Sequence, residues 1–487
     1  FKYFVISFRI GDGCYRKRNG LVMGKLSVTE ILHKPFTSRN LLYVFKGILV
    51  GLVTGVVVSI FRLIIDKTMK GLYFIYPYMV AHPKTIILYV IATIILCIVL
   101  GFIIRPQLFY VKGSGVPQIE AVMDGQLEMH WWAALWRKFV GGLLAICPGL
   151  FLGREGPCIQ MGACIGQGFS EEVFHGDKQD RNIMLACGIA AGLSAAFSAP
   201  LAGALFLVEE ITLGFASATV WLAALAAAVA SDLVTLLFFG LTPSLHFIYD
   251  YSVPVKDYWQ LIILGIILGL FGNLYQRVIL SLPKWYGKLT IIPKAWHSIV
   301  PLLLVIPIGL YYVKILGGSH DFILDLTSPH FINYLSDHLP AIGFVALLLL
   351  IRFVFSMISY GASTPGGIFM PILVLGATSG ALYASIMIHA GLLAKGYFLN
   401  IVIYAMAAYF GAIEKAPFTA VVLISEMVGS IKHMMPLLVV TLIAYVINDW
   451  LGGRPIYAAL KDEMMSSLDN PRKSAELTGL RLSLIHI

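Results

Sequence analysis

Long apolar stretches separated by short polar connectors dominate the 487-residue sequence. The apolar runs occupy about residues 47–65, 85–104, 183–208, 217–240, 259–281, 298–316, 341–360, 369–393, 398–412 and 433–451. Several of them reach the roughly 20 apolar residues that a helix needs to cross a bilayer. The pattern therefore predicts an all-α, polytopic membrane bundle.

Three further apolar segments are too short for a full crossing or are interrupted by Gly and Pro. They lie at residues 139–152, 156–168 and 416–428. Such segments are tolerated at membrane depth only where they are buried in protein or line a polar cavity. They predict broken and re-entrant helices along a pathway through the bundle.

Composition excludes an ordinary soluble enzyme. Hydrophobic residues make up 59% of the chain and charged residues 13%, whereas soluble domains have about 45–50% and about 25%. The sequence contains no H-E-x-x-H pair, no P-loop and no G-x-S-x-G motif, so it offers no support for metal, ATP-driven or intramembrane hydrolase chemistry. We expect a protein that is not an enzyme and needs no metal or cofactor.

Positive charge is concentrated at the start of the chain, whose formal net charge is +9. Residues 1–40 hold eight Lys or Arg and two acidic residues, which predicts a cytoplasmic N-terminal segment at the cell (inner) membrane rather than a nucleic-acid site. Residues 1–22, ahead of Met23, are interpreted as an artefact or an extended tail, and residues 482–487 resemble a translated adaptor. The polar residues 461–487 are predicted to be a short C-terminal tail.

An internal repeat divides the membrane part into two halves. Ala199-Pro200 and Ala416-Pro417 each open an apolar segment, and each segment carries a Glu ten residues after its Ala. Two halves with interrupted helices are typical of secondary transporters, whose site lies where the halves meet. We predict pseudo-symmetric halves at residues 41–240 and 241–460, without a prediction of their relative orientation.

Three short Gly-rich segments, each ending in Pro, are the strongest chemical signal. They are residues 113–117 (GSGVP), 153–157 (GREGP) and 367–371 (GIFMP). A Pro in the first turn is typical of helix N-termini, where backbone N–H groups and a partial positive charge attract anions. Dipoles and amides hold a halide weakly enough for release, so the segments predict an anion pathway.

With these motifs the sequence resembles the CLC family of chloride channels and chloride/proton antiporters over roughly residues 40–460. The resemblance also includes the Ala-Pro segment ending at Glu209 and Glu210, and Tyr457 within residues 452–457 (GGRPIY). It implies the CLC fold and a prokaryotic-type member of the antiporter branch, which exchanges chloride for protons. A passive voltage- or pH-gated chloride channel on the same fold is the alternative.

The resemblance also implies roles for individual residues. The anion-binding set comprises Ser114, Gly153, Arg154, Glu155, Gly156, Gly367, Ile368, Phe369 and Tyr457. Within it, the Ser114 and Tyr457 hydroxyls would form the inner constriction, and Arg154 would brace its loop. Glu155 would be the gating and proton-carrying glutamate. Glu210 would transfer protons at the inner end, unless it is a helix-end carboxylate in water, and Glu209 is given a structural role.

Substrate and partners follow from the same resemblance. Ser114 favours chloride over nitrate, and the intact residues 113–117 and 153–157 disfavour fluoride. We expect chloride and protons as the transported ions and a homodimer in the lipid bilayer with one pathway per subunit. About 30 residues follow Tyr457, too few for the nucleotide-binding cytoplasmic domains of many eukaryotic members, so none is expected.

Overall fold

The computed structural model describes residues 38–211, 217–241, 244–245, 247, 253–337 and 339–467. The interpretations of residues 1–22 and 482–487, the prediction for nearly all of the basic segment 1–40 and most of the predicted tail 461–487 lie outside the described residues. The boundaries at residues 240 and 460 stay predictions.

Helices make up most of the described chain. They are α1 (Ser38–Ala81), α2 (Lys84–Ile104), α3 (Leu108–Val111), α4 (Val116–Met123), α5 (Trp131–Ile146), α6 (Glu155–Gly168), α7 (Lys178–Phe197), α8 (Pro200–Phe206), α9 (Ala218–Phe239), α10 (Trp259–Tyr286), α11 (Ile299–Tyr312), α12 (His320–Leu326), α13 (Pro329–Asp337), α14 (Leu339–Gly361), α15 (Phe369–His389), α16 (Phe398–Glu414), α17 (Pro417–Val428), α18 (Met434–Trp450) and α19 (Ile456–Ser466).

The all-α prediction is confirmed. Among the described residues, eight helical segments are long and apolar enough to cross a membrane, and β structure is limited to two isolated bridges. Of the three short segments, residues 139–146 form the second half of α5, and the other two form most of α6 and α17. Many long helices expose apolar side chains on one face, which suits contact with lipid.

The apolar run 183–208 contains two helices, the second of which opens at the Ala199-Pro200 unit of the repeat. Helix α7 ends at Phe197, Ser198 adopts a left-handed conformation with φ of 55°, and α8 begins at Pro200. Pro200 disfavours helical geometry at the residue before it and lacks the N–H that would continue the hydrogen-bond ladder. The sequence pattern there is apolar throughout, so hydropathy does not mark the break.

The two Ala-Pro helices, α8 and α17, cap each other. Glu209, just beyond α8, accepts hydrogen bonds from the backbone N–H groups of Phe418 (3.1 Å) and Thr419 (2.6 Å) at the start of α17. Glu426, at the equivalent position of the second copy, accepts them from Leu201 (3.0 Å) and Ala202 (2.8 Å) at the start of α8. This reciprocal contact agrees with two pseudo-symmetric halves, and it gives Glu209 and Glu426 a capping function.

Candidate anion and proton site

The three Gly-rich segments meet in the interior. Gly113 donates to the carbonyl of Thr364 (2.9 Å) and accepts from Gly366 (2.9 Å), which joins the first segment to the chain entering the third. Gly153 and Gly367 exchange two hydrogen bonds of 2.8 and 2.7 Å, which joins the second segment to the third. The backbone itself therefore fixes these three turns together.

A helix begins at each of these turns. Helix α4 begins at Val116, α6 at Glu155 and α15 at Phe369, and each carries a Pro in its first turn. The first four N–H groups of a helix have no partner within it. Three helix N-termini at one junction therefore concentrate amide donors and partial positive charge.

Buried polar side chains donate hydrogen bonds to backbone carbonyls in and just before the first segment. Lys138 is fully buried, and its Nζ donates to the carbonyls of Val111 (3.0 Å) and Gly113 (2.7 Å). Gln118 donates through Nε2 to the carbonyl of Lys112 (3.1 Å). These contacts fix the loop by its carbonyl groups and give Lys138 a positioning role at the edge of the junction.

Glycine is required at two points of close approach. Gly115 has φ of 93°, a conformation that side chains disfavour. A Cβ atom on Gly156 would lie 2.7 Å from the Cβ of Ser114 and 2.9 Å from its backbone. The absence of side chains thus allows the first turn of α6 to pack directly on the segment that carries the Ser114 hydroxyl.

Two buried hydroxyl groups lie beside this junction. Ser114 is 1% exposed, its Oγ accepts from the backbone N–H of Val116 (3.3 Å), and it interacts with the hydroxyl of Tyr360. Tyr457 is fully buried, and its hydroxyl has no hydrogen-bond partner among the described residues. The ring of Phe206 lies 6.4 Å from that of Tyr457 and 6.3 Å from that of Phe369, so Tyr457 is close to the N-terminus of α15.

The side chain of Glu155 lies between two of the helix N-termini. Glu155 is the first residue of α6 and is 2% exposed. Its carboxyl group interacts with its own backbone N–H and with that of Met370 in the first turn of α15, and its Oε2 lies against Gly153. The carboxyl group thus occupies a position where backbone donors would otherwise be available to an anion.

The charge of Arg154 is paired with a carboxylate. Its guanidinium forms an ion pair of 2.5 Å with Asp66 on α1, and its side chain is 16% exposed. Because the charge is paired with a carboxylate, it is not free to hold a halide. This geometry supports the bracing role within the predicted anion-binding set.

Glu210 lies on a π-helical turn, Leu207–Ile211, that follows α8. Consecutive residues of an α-helix are about 100° apart around its axis; the wider π turn alters that angle but still separates Glu209 from Glu210. Glu209 caps α17, whereas Glu210 is 5% exposed and its Oε1 has no hydrogen-bond partner among the described residues. The description of Glu210 as a fully solvated helix end is therefore wrong, because the carboxyl group is buried.

Further acidic residues near Glu210 were missed by the sequence argument. Glu120 and Glu414 are its acidic neighbours. Glu120 pairs with Lys461 (3.5 Å), which also contacts Asp124 (2.8 Å). Partial burial opposes the charge of Lys461, but the hydrogen bond to Asp124 and the proximity of Glu120 raise its pKa above the ordinary value.

The only sequence signal for Glu414 is an acidic residue directly after the apolar run 398–412. Nothing in the sequence connects it to Glu210 or Tyr457, since the three residues are far apart in the chain. Glu120 could be found only as an acidic residue three positions after Pro117. Their proximity results from the folding of α4, α16 and α19 around the turn that carries Glu210.

Known sequences match most of the chain. The sequence profile of the family described as "Voltage gated chloride channel" matches residues 96–449. The H(+)/Cl(-) exchange transporter ClcA of Vibrio parahaemolyticus is 31% identical over 375 residues, covering 74% of this chain and 78% of its own length. The protein of the same name from Klebsiella pneumoniae is 30% identical over 379 residues, covering 76% and 77%.

Solved structures agree with these matches. A slow cyanobacterial Cl⁻/H⁺ antiporter superposes with a TM-score of 0.76 at 26% identity, covering 88% of this chain and 99% of that one. A CLC-type fluoride/proton antiporter shares the fold, with a TM-score of 0.67 at 20% identity and coverage of 85% and 96%. The family profile, the identity to curated relatives and the meeting of three glycine turns agree: the chain belongs to the voltage-gated chloride channel family, the CLC family.

Proposed function

We propose that this protein is a chloride/proton antiporter. The observation that carries the proposal is the position of the Glu155 carboxyl group, between the N-termini of α6 and α15 and facing the Met370 N–H group. The curated relatives are exchange transporters by name, and a structural neighbour is described as a Cl⁻/H⁺ antiporter. A carboxylate and a chloride ion compete for the same donors, so protonation of one side chain is linked to movement of the other ion.

The anion pathway uses donors rather than cations. Chloride binds at the inner constriction between the hydroxyls of Ser114 and Tyr457, and the backbone N–H groups of Ile368 and Phe369 complete that site. Two features support this: the Tyr457 hydroxyl is buried without a hydrogen-bond partner, and α15 begins at Phe369. Because the groups that contact chloride are hydroxyls and amides rather than cations, chloride binds weakly enough to leave again.

The outer site lies at the second glycine turn. At Gly153, Gly156 and Gly367 no side chain covers the backbone, so its N–H groups can face the pathway. Glu155 competes with chloride for these donors. Ionised Glu155 accepts from the helix N-termini and blocks the pathway. Protonated Glu155 loses its attraction to those donors, releases the position to chloride and carries a proton outward.

The inner proton step belongs to Glu210. Its carboxyl group is nearly buried beside Glu120, whose partner Lys461 lies on α19. Protons enter from the cytoplasmic side through this acidic group, while chloride follows the pathway past Tyr457. Two separate inner routes that converge on Glu155 couple the two fluxes.

The assembly we propose is a homodimer in the cell (inner) membrane, with a cytoplasmic N-terminus and one pathway per subunit. Its support is the exposed apolar surface around the mutually capped helices, which includes Leu201 (51% exposed), Phe418 (60%), Met435 (66%), Leu237 (86%) and Trp450 (83%). Light scattering of the detergent-purified protein measures the mass of the complex. Chloride and protons are the transported ions, and transport requires no cofactor and no nucleic-acid or nucleotide partner.

The decisive experiment measures energetic coupling. Purified protein is reconstituted in liposomes with a chloride gradient and no proton gradient, and the internal pH is recorded together with chloride efflux. An antiporter drives protons uphill at the expense of the chloride gradient. Chloride flux without proton movement would instead identify the passive channel on the same fold.

A further inference from the structure

Glu414 is a buried carboxyl group without a compensating charge. It is the last residue of α16 and is fully buried, and neither of its oxygens has a hydrogen-bond partner among the described residues. The adjacent Lys415 does not neutralise it. The Lys415 Nζ turns instead to Asp449 (3.1 Å) and to the carbonyl of Tyr445 (3.3 Å).

An ionised glutamate is costly in this position for two reasons. Burial of an unpaired charge costs far more than burial of a neutral polar group. The C-terminus of a helix also carries a partial negative charge, which disfavours a carboxylate there. Glu414 therefore has no evident packing or ion-pairing function, and the neutral acid is the form that fits its surroundings.

The position of Glu414 connects the anion site to the inner glutamate. Phe410, one helical turn earlier, packs against Phe369 with ring centroids 4.4 Å apart. Residues four apart lie on the same face of a helix, so Glu414 faces the same side as Phe410. It interacts with the hydroxyl of Tyr457, and it lies close enough to the carboxyl group of Glu210 for the two to interact electrostatically.

The other groups that face Glu414 are acidic or phenolic. They are Glu120 from α4, Tyr275 from α10 and Tyr360 from α14, in addition to Tyr457 and Glu210. None of them supplies a positive charge. Lys461 pairs with Glu120 (3.5 Å) and Asp124 (2.8 Å), not with Glu414. Glu414 itself therefore lacks a counter-charge, which a proton supplies, and carboxyl and hydroxyl groups are the side chains that pass protons.

We propose that Glu414 is a proton-carrying residue of the inner pathway, placed between Glu210 and the chloride site at Tyr457. The inference rests on the antiport function and assigns one more residue to it. In one cycle the O–H bond of Glu414 breaks as its proton passes outward to the Glu155 carboxylate. Protonated Glu210 then restores the O–H bond of Glu414, and Glu210 is reprotonated from the cytoplasm.

The test uses isosteric pairs that differ in the ability to carry a proton. Glu414→Gln is compared with the wild type, and Glu414→Asn with Glu414→Asp, in liposomes under a chloride gradient. The measured quantity is the ratio of proton flux to chloride flux, which does not depend on the fraction of active protein. Glu426→Gln is the control, because Glu426 lies outside the proposed proton route and its amide oxygen still accepts one of the two N–H groups, of Leu201 and Ala202, that the carboxylate accepts.

We expect Glu414→Gln to lower that ratio by about 100-fold, the lower end of what a positioned proton-transfer group contributes. Glu414→Asp should retain more coupling than Glu414→Asn, and the Glu426 control should match the wild type. A wild-type ratio in Glu414→Gln overturns the proposal, whatever the absolute rate. If Glu414→Gln gives no flux, the Asp/Asn pair decides, and equal ratios or loss of all flux in both overturn it.

The two proposals fail in different ways. If the wild-type protein moves no protons under the chloride gradient, the antiport function itself is wrong. If the wild type couples the two ions and Glu414→Gln couples them equally well, only the role of Glu414 is wrong.

Discussion

Adjacent glutamates at the end of α8 should respond to substitution in opposite ways. Glu209 accepts the N–H groups of Phe418 and Thr419 and the Thr419 hydroxyl (2.6 Å), whereas the Oε1 of Glu210 has no hydrogen-bond partner among the described residues. We therefore expect Glu209→Ala to affect stability and leave ion coupling unchanged. Glu210→Gln should affect coupling and leave stability nearly unchanged.

The size of the stability effect follows from burial. Thr419 is fully buried and would keep an unpaired N–H and hydroxyl, and the N–H group of Phe418 would lose its acceptor as well. Loss of a helix cap and of charged hydrogen bonds in a partly buried setting costs about 2 kcal/mol. Glu426→Ala removes the acceptor of the equivalent N–H groups, those of exposed Leu201 and buried Ala202. The loss of unfolding free energy should therefore be similar.

Stability is measured by unfolding the purified protein in mixed micelles of rising SDS content. Coupling is measured in liposomes as the ratio of proton flux to chloride flux. Both alanine variants should unfold at lower SDS, and both should retain the wild-type proton-to-chloride ratio. A Glu209→Ala protein with wild-type stability and lost coupling would refute the capping argument. In that case Glu209, and not its neighbour, would belong to the proton route.

Three other substitutions test the site. Glu155→Gln should keep chloride flux, abolish proton coupling and flatten the pH dependence of chloride flux, because the amide cannot bind or release the proton; a coupled variant would remove Glu155 from its role. Glu210→Gln should stop proton flux while chloride flux continues; loss of both would indicate a structural residue. Lys138→Met should remove the side-chain donor of the Val111 carbonyl and one of the two donors of the Gly113 carbonyl, which keeps the Gly366 N–H; at a cost of about 1–3 kcal/mol, the variant should unfold at a lower SDS content, and unchanged stability would contradict the positioning role.

Hydropathy and residue type were sufficient for the fold class and for the glycine turns. Residues 113–117, 153–157 and 367–371 open helices because Gly and Pro dictate local backbone geometry whatever lies around them. The Ala-Pro repeat likewise predicts two related helices. Hydropathy failed inside the run 183–208, where a break at Ser198 separates two apolar helices with no change in polarity.

The sequence alone also marked Glu155, Glu210 and Tyr457 as candidates, because a local motif carries each of them. It could not find Glu414, which no local motif marks. The reciprocal capping by Glu209 and Glu426 was equally hidden, because each carboxylate accepts from a helix in the other half of the chain.

What the sequence determined, then, is local: helices that suit a bilayer, turns that leave amides free, and the residues that resemble the CLC motifs. Only the tertiary structure decided which groups face each other. Whether a carboxylate caps a helix, pairs with a cation or is left without a partner depends on groups far away in the chain, as Glu209, Glu120 and Glu414 show. Burial and long-range contacts set its electrostatic environment, and neither can be read from the residues beside it in the chain.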